Sequence, residues 1–203
     1  MVGFEYPGQP HLRRPGPAGY KDYGSYRDWL RDEFMFRCVY CLHREQWYSR
    51  SGTFHIDHFV PVSADPRGAL QYSNLLYACT TCNEAKADIL GLPDPCSVSF
   101  RECIEIEADG HVVAKTPSGR RLCDVLRMNS SDNLANRSRW IGILELARSS
   151  DATQYKELYK ELMGFPAALP DLRSKKTPRN DKPESAANCC FVLRERGELP
   201  VIY

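Results

Sequence analysis

The sequence predicts an α+β chain, with a small strand–strand–helix core held by a four-cysteine zinc site and an α/β extension on its C-terminal side. Three observations lead there. Two Cys-x-x-Cys pairs, Cys38/Cys41 and Cys79/Cys82, offer the thiolates of a tetrahedral zinc site. Two short apolar runs bounded by turn signals precede the second pair, and helix signals follow at once. Beyond residue 95, hairpin and helical patterns take over. A chain of 203 residues suits one domain, or one domain with a small annex.

The elements read as follows. Residues 1–24 are dense in Pro and Gly and are expected to form a flexible arm. Tyr26, Trp29, Leu30 and Phe34 fall at helical spacing and lead into Cys38. Phe54, Ile56, Phe59 and Val60 suggest a strand over residues 53–60, stopped by Pro61. A loop with Asp65-Pro66 and Gly68 follows, then a second strand over Leu75 to Ala78. Thr81 and Glu84 have capping-box spacing, which predicts a helix from Cys82 to Leu90 ended by Gly91. These elements make a core over residues 25–95. Residues 96–164 read as a hairpin turning at Asp109-Gly110, then helices over 122–128, 138–148 and 151–164. Residues 165–203 read as an extended basic tail with a small terminal hairpin.

Composition removes several functional classes. No stretch approaches 18 apolar residues, so no membrane span is expected. The first twenty residues lack an apolar stretch of the signal-peptide kind. Nine cysteines, an odd number, do not suit a disulfide framework, so a reducing, cytoplasmic setting is expected. A net charge of +1 argues against a polybasic coat but leaves room for a local basic groove.

The cysteines carry the first chemical signal. Thirty-seven residues separate Cys41 from Cys79, so a sub-structure sits between two metal-binding knuckles. Buried free thiols or a redox pair are the alternatives, but a redox site needs only one pair. His43 reads as a surface residue that could instead replace one thiolate. Cys96, Cys103, Cys123 and Trp140 read as core residues.

The second signal is the order of Phe54-His55-Ile56-Asp57-His58-Phe59-Val60-Pro61, then Asn74-Leu75-Leu76, then Cys79-Thr80-Thr81-Cys82-Asn83-Glu84-Ala85-Lys86. Over residues 38–90 this resembles the HNH endonucleases, the ββα-metal or His-Me finger nucleases, with Asn83 where the family name has its third letter, His. The resemblance implies hydrolysis of DNA phosphodiester bonds, leaving 5′-phosphate and 3′-hydroxyl ends. It implies His58 as general base on water, Asn74 as the residue that holds the loop and orients that base, and Asp57 with Asn83 as oxygen ligands of catalytic Mg²⁺ or Mn²⁺. Those roles suit the residue types. An imidazole exchanges protons near neutral pH, and hard oxygens suit Mg²⁺. His55 shares a strand face with Asp57, as an extra metal ligand, a DNA contact or a plain polar residue. Lys86, one helical turn from Asn83, is expected to neutralise a phosphate, or else to be solvated helix surface.

Basic residues at 173–182 (Arg173, Lys175, Lys176, Arg179, Lys182) and His11, Arg13 and Arg14 each invite DNA-backbone contact or plain solvation. The expected partners are DNA and a protein partner or activator, with no membrane. Bacterial anti-phage defence or mobile-element biology follows by analogy alone. The competing reading is a zinc-stabilised DNA-binding module, or an effector silent until triggered; a thiol oxidoreductase is a third.

Overall fold

A computed structural model of the chain describes residues 3–47 and 53–203. Between the knuckles, strand β1 (Phe54–His58) pairs antiparallel with β2 (Leu75–Cys79), with Phe54 opposite Cys79 and His58 opposite Leu75. Helix α2 (Thr80–Lys86) leaves β2 without a loop and packs on both strands. This is the expected strand–strand–helix unit. Helix α1 (Arg27–Glu33), preceded by a 3₁₀ turn at Tyr23–Tyr26, covers the same sheet and buries Trp29 and Leu30.

The start and end of α2 differ from the expected helix. Cys79 is its N-cap and makes no side-chain cap bond, so the Thr81–Glu84 capping box does not form. The strand runs straight into the helix, which places Thr81 inside the first turn. The helix stops at Lys86, well before Gly91, because Ala87 turns at φ 44°. Ser63 then donates to the carboxylate of Asp88 at 2.8 Å, which carries the chain off the helix axis.

The extension holds α3 (Phe100–Cys103), a hairpin of β3 (Ile104–Ile106) and β4 (Val112–Ala114), and helices α4 (Pro117–Val125), α5 (Ser131–Ser149) and α6 (Thr153–Met163). Helix α4 begins five residues before the expected 122. The Thr116 hydroxyl accepts from the N–H of Gly119 and Pro117 follows it, the usual pairing of an N-cap with Pro in the first turn. Ser130 caps α5 in the same way. Trp140 stacks on Trp47 with ring centroids 4.8 Å apart, a core contact between extension and knuckle.

Two expectations for the termini are corrected. Residues 3–22 are extended, but they are not a flexible arm. Phe4 and Tyr6 are buried, and the Tyr6 hydroxyl bonds the carbonyl of Tyr40. The rest of the segment is pinned to two buried acids at the end of α1. Glu33 takes His11 Nε2 at 3.2 Å and Arg13 Nε at 3.1 Å, and Tyr72 also donates to it, at 2.5 Å. Asp32 takes Arg14 Nη2 at 2.6 Å. The basic residues of the arm are therefore spent on internal acids rather than held out for DNA. The terminal hairpin is also absent. Residues 190–195 form helix α7 (Cys190–Glu195), whose first N–H bonds Asp32 Oδ1 at 2.7 Å. Arg196-Gly197 is the turn that ends this helix, with Gly197 at φ 72°, a signal shared by hairpins and helix C-termini.

Burial alone would raise the Glu33 carboxyl, but His11, Arg13 and the Tyr72 hydroxyl hold it below the ordinary range. Its stabilisation is thus fully present above the unfolded glutamate range and is lost as pH falls through the lower folded value. Glu33→Ala, which strands Arg13, should lower unfolding free energy by about 3 kcal/mol at pH 7. The wild-type advantage should shrink in acid, as read by denaturant titration at both pH values.

Candidate active site and zinc centre

Cys38 and Cys41 come from the turn after α1, Cys79 from the last residue of β2 and Cys82 from α2. All four are buried, and their sulfurs lie within 4.8 Å of one another, with Cys41 and Cys79 at 3.6 Å. Zn–S bonds of about 2.3 Å place tetrahedral sulfurs about 3.8 Å apart, so the cluster fits zinc with no open position. A closed four-sulfur site is structural rather than catalytic.

His43 is not the surface residue expected from sequence. It is buried, because α5 and the aromatic rings of Phe4 and Trp47 close over it. Burial lowers its pKa to about 4, so the ring is neutral at pH 7. Asn136 Nδ2 lies 3.3 Å from His43 Nε2 and can only donate, which leaves the proton on Nδ1. That Nδ1–H faces Cys41 Sγ at 3.3 Å. His43 therefore supports a ligand from behind and does not replace one.

The second centre lies where β1 ends. Adjacent strand positions diverge, which sets Asp57 inward and leaves His58 half-buried. His58 Nε2 donates to the carbonyl of Ala69 at 3.0 Å, and Tyr23 meets the ring edge-on at 5.0 Å. With Nε2 carrying the proton, Nδ1 keeps its lone pair. Ala69 lies in the 3₁₀ turn Pro66–Leu70, and Asn74 holds that loop in place. Its Oδ1 accepts from the N–H of Val60 at 2.8 Å, and its Nδ2 donates to the carbonyls of Val60 and Gly68 at 2.9 and 3.2 Å. A side chain at residue 68 would meet the Asn74 amide at 2.9 Å, so the close approach requires glycine there.

Asp57 is only 4% exposed. Lys86 Nζ donates to its Oδ1 at 2.9 Å and Tyr40 Oη to its Oδ2 at 2.6 Å. Burial pushes the Asp57 carboxyl up, against the pull of Lys86 and Tyr40. Lys86 also donates to the carbonyl of His58 at 2.7 Å and is 0% exposed. Both expectations for Lys86, a phosphate contact and a solvated helix surface, are corrected. Its ammonium is turned inward because a buried carboxylate demands a counter-charge.

Asn83 is half-buried on α2, one turn before Lys86, and His55 is exposed on β1. Among the described residues the four cysteines are the one close group of three or more His, Cys, Asp or Glu ligands. Each Asp57 oxygen keeps a lone pair beyond its bond to Lys86 or Tyr40, and the Asn83 amide offers a second hard oxygen, donors of the kind that Mg²⁺ takes. Sequence reasoning missed Tyr40, Tyr23 and Ala69, and placed His43 at the surface. Only Tyr40 and His43 carried a local signal, their places inside and just after the first Cys-x-x-Cys.

No curated protein matches the chain. Residues 38–88 match the family model described as HNH endonuclease. That match spans both knuckles, the Asp57-His58 strand end and α2, the same segment that the geometry builds into one unit. Residues 38–88 are thus similar to the HNH endonuclease domain, and their four-cysteine cluster fits a zinc-binding variant of it.

Proposed function

We propose that the chain is a metal-dependent endonuclease that hydrolyses DNA phosphodiester bonds. The observation that carries this reading is His58, whose Nε2 is committed to the Ala69 carbonyl, which leaves the Nδ1 lone pair to accept a proton. His58 Nδ1 takes a proton from water as the water oxygen bonds phosphorus. The bond from phosphorus to the 3′ oxygen breaks, leaving a 5′-phosphate and, once protonated, a 3′-hydroxyl. Asp57 and Asn83, with His55 at the rim, are the residues that would hold Mg²⁺ or Mn²⁺. When bound, such an ion supplies charge neutralisation at the phosphate and leaving oxygen. Lys86 supplies the counter-charge to Asp57 and ties down the His58 backbone, while Asn74 holds the loop that carries the Ala69 carbonyl.

The basic segment 173–182 supports the choice of DNA. Tyr20 Oη donates to the carbonyl of Lys176 at 2.8 Å, which brings this segment beside the residues that carry Tyr23 against His58. Lys175 is paired with Asp28, and Arg173 with Asp171 and Glu195. Lys176 and Arg179 are exposed and enter no ion pair among the described residues. Replacing both with Ala should weaken DNA binding and reduce the slope of log affinity against log salt by about 2. Fluorescence anisotropy across a salt series reads both.

The function itself is tested by incubating purified protein with supercoiled, linear and single-stranded DNA over Mg²⁺, Mn²⁺, Ni²⁺ and Zn²⁺. Nicks with Mg²⁺ or Mn²⁺ are the expected outcome. A DNA-binding module without autonomous cleavage is the second reading, favoured by one observation: Asp57 is already charge-compensated by Lys86. A gel shift without cleavage under every condition would establish it, or point to a protein activator. A cytoplasmic setting and a place in anti-phage defence or mobile elements are proposals resting on cysteine usage and on the breadth of the family. Among the described residues no helix is long and apolar enough to cross a membrane.

A further inference from the structure

Tyr40 has no place in the proposed chemistry, yet its surroundings are those of a working part. It sits between zinc ligands Cys38 and Cys41 and is fully buried. Its carbonyl accepts the Tyr6 hydroxyl at 2.5 Å, and its ring lies nearly parallel to that of Phe100, at 21° and 6.4 Å. The N-terminal segment, the first knuckle and α3 of the extension thus converge on one side chain. All of that order ends in one bond, from the hydroxyl to Asp57 Oδ2 at 2.6 Å. Tyr40 could have been Phe for packing. The hydroxyl satisfies a buried carboxylate oxygen and in doing so restricts the orientation of that carboxylate.

We propose that Tyr40 is a positioning residue for Asp57. With Lys86 on Oδ1, the Tyr40 hydroxyl on Oδ2 fixes the plane of the carboxylate and leaves one lone pair on each oxygen for a divalent cation. The zinc knuckle thereby orients an oxygen ligand of the active site through a single side chain. Outer supports of this kind are worth about 10- to 100-fold in metal affinity or activity when removed. The proposal rests on the reading of Asp57 as a metal ligand, and the test separates the two.

The experiment measures Mn²⁺ binding directly, by electron paramagnetic resonance of free Mn²⁺, on full-length wild type, Tyr40→Phe and Asp57→Asn. Bound zinc is determined in parallel. Tyr40→Phe should bind Mn²⁺ about 10-fold more weakly than wild type while retaining one zinc per chain, and Asp57→Asn should bind weakest. If Tyr40→Phe binds Mn²⁺ as wild type does, Tyr40 does not position Asp57 and the proposal fails. If Asp57→Asn binds as wild type does, the metal-ligand reading fails and takes the proposal with it. If no protein cleaves DNA but the affinity order holds, the proposal stands and the nuclease reading fails. Should Tyr40→Phe lose zinc, Phe100→Leu keeps the hydroxyl and loosens the ring. A smaller weakening, by a few-fold, is then expected, and wild-type affinity would overturn the proposal.

Discussion

Replacing His58 with Ala should lower DNA cleavage by a factor of about 10² to 10⁴, the range contributed by a positioned general base. At about 1.4 kcal/mol per tenfold, that corresponds to about 3 to 6 kcal/mol of barrier. The fold should survive the change. His58 is half-buried, and the recorded bond of its ring is the one from Nε2 to the Ala69 carbonyl. Asn74 holds the same loop independently through three bonds. Zinc content should remain one per chain, and the melting temperature should move little. Single-turnover cleavage beside a zinc assay checks this. A His58→Ala protein that cuts at the wild-type rate would remove His58 from the mechanism, whatever happens to its stability.

Removing zinc should have the larger effect on the molecule as a whole. Structural zinc sites of this class contribute on the order of 10 kcal/mol of folding free energy, which matches or exceeds the 5–15 kcal/mol net stability of a typical domain. The topology makes the loss spread. Cys79 is both the last residue of β2 and the N-cap of α2, and Cys38 and Cys41 flank Tyr40, which holds Asp57. A strong chelator should therefore abolish the cooperative unfolding transition, and Cys79→Ser should do the same without chelator. Circular dichroism melts with elemental analysis read both. A protein purified without zinc and still melting cooperatively would show the four thiols to be ordinary core cysteines.

The residues that announce chemistry were legible because their spacing is local. Two Cys-x-x-Cys turns need only four residues each to aim two sulfurs at one point, and the structure closes them into one buried cluster. Asp57-His58 before Pro61, and Asn74 before an apolar run, marked the two strands to within a residue or two. Elements set by side chains far apart in sequence were not legible. The Pro- and Gly-rich segment looked free, but Glu33 and Asp32, about twenty residues on, bind its His11, Arg13 and Arg14. His43 looked exposed until Asn136, 93 residues away, and the rings of Phe4 and Trp47 closed on it.

Lys86 shows the division most clearly. Sequence placed it one helical turn from Asn83 and could read it only as a cation on a helix. Its direction depended on which way α2 lies across β1, the same placement that brings Cys82 to the thiols of the first knuckle. Sequence by itself determined the four-cysteine set and the order of the two strands and the helix. Tertiary structure decided which charges meet. Asp57 is buried with Lys86 and Tyr40, His58 keeps one nitrogen open, and the arm's cations are consumed internally. The physical reason is that ligand spacing is fixed along the chain, whereas the cost of a buried charge is settled only by what folding brings beside it.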